Sequence, residues 1–473
     1  MVKLDHRVKG ESVEIKYKTY TLREFQPGDE TGILKLWQTA FKAEMDPALL
    51  KWKHLDNPYG RTMVLCIAED REIVTFYGGI AFQMNCQGRT IHAVHLMDIM
   101  SHPGHRENRV FAQTARAFMK ICCVPDKLQF MYGFPGAFHY DVGERLLNYR
   151  KISSVKYWTA RAEDLLAEGL PAEGLLSEGL LSKDPKAETD CKHHLKQNSL
   201  HGQKGCKAGH GRKEVPIPSI AMIPVAAIGE MDELAPAFDQ LWQACLKDYP
   251  LSVARDARFV KWRYFQHPHN QYNVFVFQKK SDGSGFGRTL IRTLKSFFSS
   301  KSDTFPFTAR RMSEVKHRSA VKHMSESKHR IAARHRSAVD HSFTASQPSA
   351  ASQQSAARHR FMDKGRYRIC AYLVFCVNND KLVLVDILMP DSLTLFKEIM
   401  GCAARYMINE KFQEIETWLP ENHFIARHAE KAGFKESQEP LGIIPTVSLF
   451  DHSPSLAWVT ENFYYNMGDG DLF

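Results

Sequence analysis

Hydrophobic and polar positions along the chain change period several times, and the same order of periods occurs twice. "YTLREFQPGDETGILKLWQTAF" predicts an opening strand and helix. The run "TMVLCIAEDREIVTFYGGIAF", Thr62 to Phe82, is β-rich. "AVHLMDI" then reads as a buried strand, "MSHPGHRENRVF" as a polar loop and "FAQTARAFMKICC" as a helix. A further strand, "LQFMYGFP", ends at Pro135. Later in the chain "YNVFVFQ" and "VLVDIL" are again strands, a helix of about 15 to 20 residues follows Pro390, and "EIETWLP" ends at Pro420.

Landmark spacing turns this likeness into an internal repeat. "WKHLDNP" at Trp52 has its partner in "WRYFQHP" at Trp262, and Asp98 in "HLMDIM" matches Asp386 in "VLVDIL". Pro135 to Tyr149 and Pro420 to Phe434 are both 14 residues. Trp52 to Asp98 is 46 residues and Trp262 to Asp386 is 124, an excess of 78. That excess nearly equals an 80-residue stretch, 281–360, whose own pattern is foreign to both copies. Long loop insertions cost little, because closure entropy grows only logarithmically.

Within 281–360, histidines at 317, 323, 329, 335 and 341 keep a six-residue period, which fits neither a helical stripe nor a helix-pair repeat. Apolar side chains there are few, so the segment is expected to be disordered. It carries 15 Lys/Arg against 5 Asp/Glu, an excess equal to the net +10 of the whole chain. The remainder is balanced, so nucleic acid is a partner only through this segment. A second stretch repeats every five residues ("AEDLL", "AEGLP", "AEGLL", "SEGLL") and runs on to a His/Gly/Lys-rich tail. Cys191, His193 or His194, Cys206 and His210 lie in it, but their spacing matches no standard zinc finger and no metal is assigned. Residues 1–160, a linker 161–214, and 215–473 interrupted by 281–360 are the expected divisions.

The N-terminus lacks an apolar core of signal-peptide length, and no run reaches the roughly 18 to 20 apolar residues of a membrane span. Ten scattered cysteines suit a reduced, cytoplasmic chain. The oligomeric state is left open by these features.

The repeated unit resembles the GNAT superfamily of acyl-CoA N-acyltransferases, and the pair resembles bacterial tandem-GNAT proteins of the enhanced-intracellular-survival type. The resemblance rests on "SHPGHRENRVF", set against V-x-P-x-x-R-G-x-G at a strand end and helix start. Pro103, Arg106, Val110 and Phe111 fit, while Glu107 and Arg109 replace the two usual glycines. "GFPGAFHYDVGERLLNY" is similar to a second signature, "GFPN…Y…LGY". The resemblance implies an α/β (α+β) fold class: two tandem domains, each a mixed, mostly antiparallel sheet flanked by helices, with two low-complexity insertions.

It also implies an acetyl-CoA or other acyl-CoA co-substrate and a small amine or amino-sugar acceptor. The co-substrate would meet Ile99, Met100, His102, Arg106, Asn108, Arg109, Val110 and Phe111, with its pyrophosphate at the helix N-terminus. Amine acylation needs a proton acceptor for the amine, N–H donors for the oxyanion and an acid for the leaving thiolate. Tyr140 is the expected acid, with His139 as the neighbouring alternative, and Asp98 is the candidate base. The second copy is three residues shorter between Asp386 and Pro420, and "DSLTLFKEI" offers no arginine after Pro390. It is expected to lack the CoA loop. Two other functions fit the same residues: an aminoacyl- or acyl-carrier-dependent transferase, and an inactive binding protein with a basic tether.

Overall fold

The structure, a computed structural model, describes residues 11–15, 18–169, 220–226, 228–280, 367–378, 381–450 and 453–470. The hexapeptide repeat, the zinc-ligand candidates and most of the five-residue repeat lie outside the described residues. The fold is mixed α/β, with two mixed sheets flanked by helices.

The first half contributes β1 (Glu11–Ile15), β2 (Lys18–Glu24), α1 (Glu30–Phe41), α2 (Pro47–Leu50), β3 (Arg61–Ala68), β4 (Ile73–Cys86), β5 (Arg89–Leu96) and β6 (Met100–Ser101). These are followed by α3 (Val110–Cys122), β7 (Phe130–Gly133), α4 (Ala137–Leu147), β8 (Arg150–Lys151), β9 (Lys156–Arg161) and α5 (Ala162–Gly169). The second half contributes β10 (Ile220–Val225), α6 (Ile228–Cys245), β11 (Leu251–Val253), α7 (Ala257–Val260), β12 (Asn273–Lys280), β13 (Tyr367–Asn378) and β14 (Lys381–Leu388). It closes with α8 (Leu393–Glu410), β15 (Glu414–Leu419), α9 (Phe424–Lys431), β16 (Lys435–Ser437), β17 (Thr446–Ser448) and α10 (Leu456–Asn462).

In each half an antiparallel meander feeds a parallel crossover. β3, β4 and β5 run antiparallel, and α3 carries the chain to β7, which lies parallel to β5. Likewise β12, β13 and β14 run antiparallel, and α8 leads to β15 parallel to β14. The crossover helices are amphipathic. Val110, Ala115 and Phe118 of α3 are fully buried, and Phe118 packs on Tyr77 of β4 at 5.2 Å between ring centres.

The halves exchange strands. β9 sits between β15 and β16 in the second sheet, and β17 sits between β7 and β8 in the first. β11 also adds to β4 of the first sheet. The boundary expected at 160 thus falls inside β9. Residues 161–169, grouped with the linker by composition, complete β9 and form α5, which packs on α8 with Leu165 buried.

Between the sheets the two tryptophans of the repeat meet. Trp52 and Trp262 stack at 4.7 Å with an interplanar angle of 11°. Each indole N–H donates to the other's main-chain carbonyl, at 3.1 and 3.3 Å. Each tryptophan lies in a single π-helical turn, Lys51–Leu55 or Lys261–Phe265, so the contact is nearly two-fold symmetric. One apolar cluster runs from Phe82 and Tyr132 of the first sheet to Phe277 and Leu384 of the second. No described helix is long and apolar enough to cross a membrane.

Candidate active site

The strand leading into the polar loop is broken by a bulge. Gly79 of β4 faces Leu96 and Phe76 faces Met100, so two residues of β4 oppose Met97, Asp98 and Ile99. Asp98 takes up the extra residue in the left-handed region, at φ 57°. Gly79 lets the strands approach this closely, since a Cβ there would run into the carbonyl oxygen of His95. β5 pairs with β7 only over Ala93–His95, and beyond that point β6 pairs with β4 alone. Among the described residues no strand pairs with the other edge of β6. That edge runs directly into the loop.

His102, Pro103 and the 3-10 turn Pro103–Asn108 form the loop. The Gly104 N–H donates to His102 Nδ1 at 3.1 Å. The His105 ring accepts from or donates to Tyr20 Oη at 3.0 Å, and burial followed by the charge of His102 lowers its pKa. Arg109 then adopts φ 54°, ψ 21° and starts α3 without any side-chain cap. Arg109 thus keeps, at a cost of about 1 kcal/mol, the left-handed turn that glycine would adopt freely. Among the described residues no side chain accepts from the first amides of α3, Val110 to Ala112, which leaves them to another acceptor. Arg106 and Arg109 are both exposed beside them. Of the other expected contacts, Met100 and Val110 are core side chains, which leaves only their main chain to a ligand, and Ile99 packs on the α3 core. Phe111 packs on Tyr77 and His139. The side chains of Glu107 and Asn108 lie outside the described residues.

The Phe111–His139 contact sets the start of α4 beside the start of α3, and Tyr140 is the residue after His139. Its hydroxyl donates to Glu144 at 2.7 Å. Burial, then that bond, raises its pKa. Asp98 is on the other side of the sheet, held by groups that sequence reading did not pick out. Lys53 Nζ lies 3.3 Å from both carboxylate oxygens, and His54 Nε2 lies 3.1 Å from one of them. The π-helical turn after Trp52 delivers both, and the side chains of Lys53 and Asp98 are each only 6 % exposed. A signal was available: the aligned segments read "WKH" and "WRY", so the repeat differs where the titratable pair sits.

The second half is closed at the same places. Ser392 caps α8 by accepting from Leu395 N at 3.3 Å, and Asp391 beside it pairs with His428 at 2.8 Å. The turn Met467–Asp469 lies against β14, and Arg263 donates to the carbonyls of Gly468 and Gly470 at 3.0 and 2.9 Å. Asp386 is surrounded by donors: Arg255 Nε, Tyr264 Oη and Tyr372 Oη at 2.8 Å each, the Ile387 amide at 2.9 Å, and Asn466.

Residues 21–145, which span β2 to most of α4 and include the loop, match the family model described as an acetyltransferase (GNAT) domain. No curated protein matches the chain. Among solved structures, the chain is similar to a conserved protein of unknown function from Enterococcus faecalis V583, titled a probable N-acyltransferase. That match has 9 % identity and a TM-score of 0.47, and covers 94 % of this chain and 74 % of that one. A GCN5-related N-acetyltransferase from Kribbella flavida matches at 9 % identity and TM-score 0.48, covering 91 % and 70 %. Saccharomyces cerevisiae N-myristoyltransferase with bound myristoyl-CoA matches at 10 % identity and TM-score 0.42, covering 93 % and 80 %. TM-scores this low carry no functional assignment.

Proposed function

We propose that the chain is an acyl-CoA-dependent N-acyltransferase, most simply an N-acetyltransferase, built from two GNAT-like units of which only the first is catalytic. The observation that carries this reading is the uncapped N-terminus of α3, entered through a left-handed Arg109 and flanked by Arg106. A diphosphate there meets main-chain N–H groups and the positive end of the helix, and the guanidinium groups add charge-assisted bonds. The contrast with α8, closed by Ser392, supports assigning the co-substrate to the first half alone.

In this reading the pantetheine arm runs along the outer edge of β6, past the main chain from Ile99 to His102, and the pyrophosphate meets Arg106, Asn108, Arg109, Val110 and Phe111. The amine attacks the thioester carbon, the C–N bond forms and the C–S bond breaks. Tyr140 gives its hydroxyl proton to the departing thiolate. Asp98 supplies the negative charge on the side that accepts the amine's proton. The acceptor is a small amine, such as an amino sugar, and the protein acts in the cytoplasm.

Titrating the intact chain with acetyl-CoA by calorimetry and thermal shift tests the reading. Binding should raise the melting temperature, by about 2.7 kcal/mol of stabilisation at a hundredfold excess over Kd. No heat and no shift at millimolar acetyl-CoA would sink it and favour an inactive binding protein.

A further inference from the structure

His54, beside Asp98, differs from its counterpart Tyr264 beside Asp386. His54 is 2 % exposed, and its Nδ1 has no hydrogen-bond partner among the described residues. Its Nε2 faces Asp98, so a neutral ring donates Nε2–H to the carboxylate and keeps its lone pair on Nδ1. The ring is held by Asp98 and packs on Phe76 in an edge-to-face arrangement, 5.4 Å between ring centres. Lys53 places a positive charge 3.3 Å from the same carboxylate. A carboxylate that fixes an imidazole's tautomer while the far nitrogen stays available is a general-base arrangement.

The same turn in the second half carries Tyr264 at the place of His54, and its hydroxyl donates to Asp386 at 2.8 Å. A phenol donates well and accepts a proton poorly, whereas an imidazole does both near neutral pH. Asp386 is fully satisfied by its donors and has a structural role. The difference between the two copies is therefore chemical: the half with the uncapped α3 carries an imidazole that can take a proton, and the other half carries a phenol.

We propose that His54, oriented by Asp98, receives the acceptor amine's proton through Nδ1 by way of a bridging water. A buried nitrogen without a protein partner can exchange a proton only through such a water. The water and Nδ1 first take a proton from the ammonium, and the imidazolium, held by Asp98, releases it to solvent. The freed nitrogen then attacks the thioester carbon and loses its second proton by the same route as the C–S bond breaks. Tyr140 protonates the thiolate, so amine and thioester become amide and thiol. Asp98 is then a positioning residue. The inference rests on the acyltransfer reading.

The test compares amines of different basicity with acetyl-CoA as donor. The best primary alkylamine from a panel is an ammonium at neutral pH and needs a base. Methoxyamine is already neutral and does not. His54→Gln should lower kcat/KM for the alkylamine by about 10²–10⁴-fold and for methoxyamine by less than about fivefold. His54→Tyr, which installs the second half's residue and keeps a bond to Asp98, should behave the same way. Tyr264→Phe should leave the ratio of the two rates unchanged. Equal losses for both amines, or no loss, would overturn the role of His54. If the unmodified protein neither binds acetyl-CoA nor acylates any amine, the acyltransfer reading fails first, and calorimetry separates that case.

Discussion

Arg255 is the most deeply committed charge in the molecule, and replacing it with methionine tests what its network is worth. Its Nε meets Asp386 at 2.8 Å, its Nη2 meets Asp469 at 2.6 Å, and its Nη1 donates to the Val253 carbonyl at 3.1 Å. The guanidinium also lies 4.7 Å from the centre of the Tyr464 ring. All three charged side chains are completely buried. Methionine fills most of the volume but leaves two carboxylates without their cation, and breaking a buried pair from one side costs about 3–5 kcal/mol. At about 2 °C per kcal/mol for a body this large, the melting temperature of Arg255→Met should fall by roughly 6–10 °C. Differential scanning calorimetry reads this directly. The triple variant Arg255→Met, Asp386→Asn, Asp469→Asn should recover more than half of the loss, because no buried charge is then left alone. A single variant melting within about 2 °C of the parent, or a triple variant that simply adds its three losses, would refute the reasoning.

Two further outcomes follow from individual sites. Burial lowers the pKa of His423 to about 3 against an unfolded value of 6.5, so the unfolded chain binds the extra proton between those values. Stability should therefore fall as pH drops from about 6.5 towards 3, by up to about 1.4 kcal/mol per unit, and urea titrations of His423→Gln should show a shallower slope. Arg109→Gly relieves a left-handed arginine and removes one cation, so it should gain up to about 1 kcal/mol in stability. The same variant should weaken acetyl-CoA binding about three- to tenfold by calorimetry, in the range of one exposed charge-assisted contact.

How much of this was legible in the sequence depends on whether a feature is local. The meanders, the two aspartate strands and the loop into α3 follow from period and spacing, because they are set by residues close together in the chain. The helical part of "AEDLL" was missed because composition outweighed the packing of Leu165, which α8 supplies. The placement of β9 and β17 was not legible at all. Alternation in "KYWTAR" says that a strand has two faces, not which sheet will hydrogen-bond its edges. The partners of Asp98 were hidden for a related reason. Lys53 and His54 reach it from 45 and 44 residues away, and the π-helical turn that buries them leaves no periodic trace. The near-match of "WKH" and "WRY" held that information, but only the stacked tryptophans show that the two turns face each other.

The exchanged strands give the chain the topology of a clasp. A cut between 169 and 220 would free no fragment, because each piece would still hold a strand in the other's sheet. Ending the chain at 160 would do the opposite damage: β9 would lose both partners, β15 and β16, and β7 would lose β17, presenting fresh edges to other molecules.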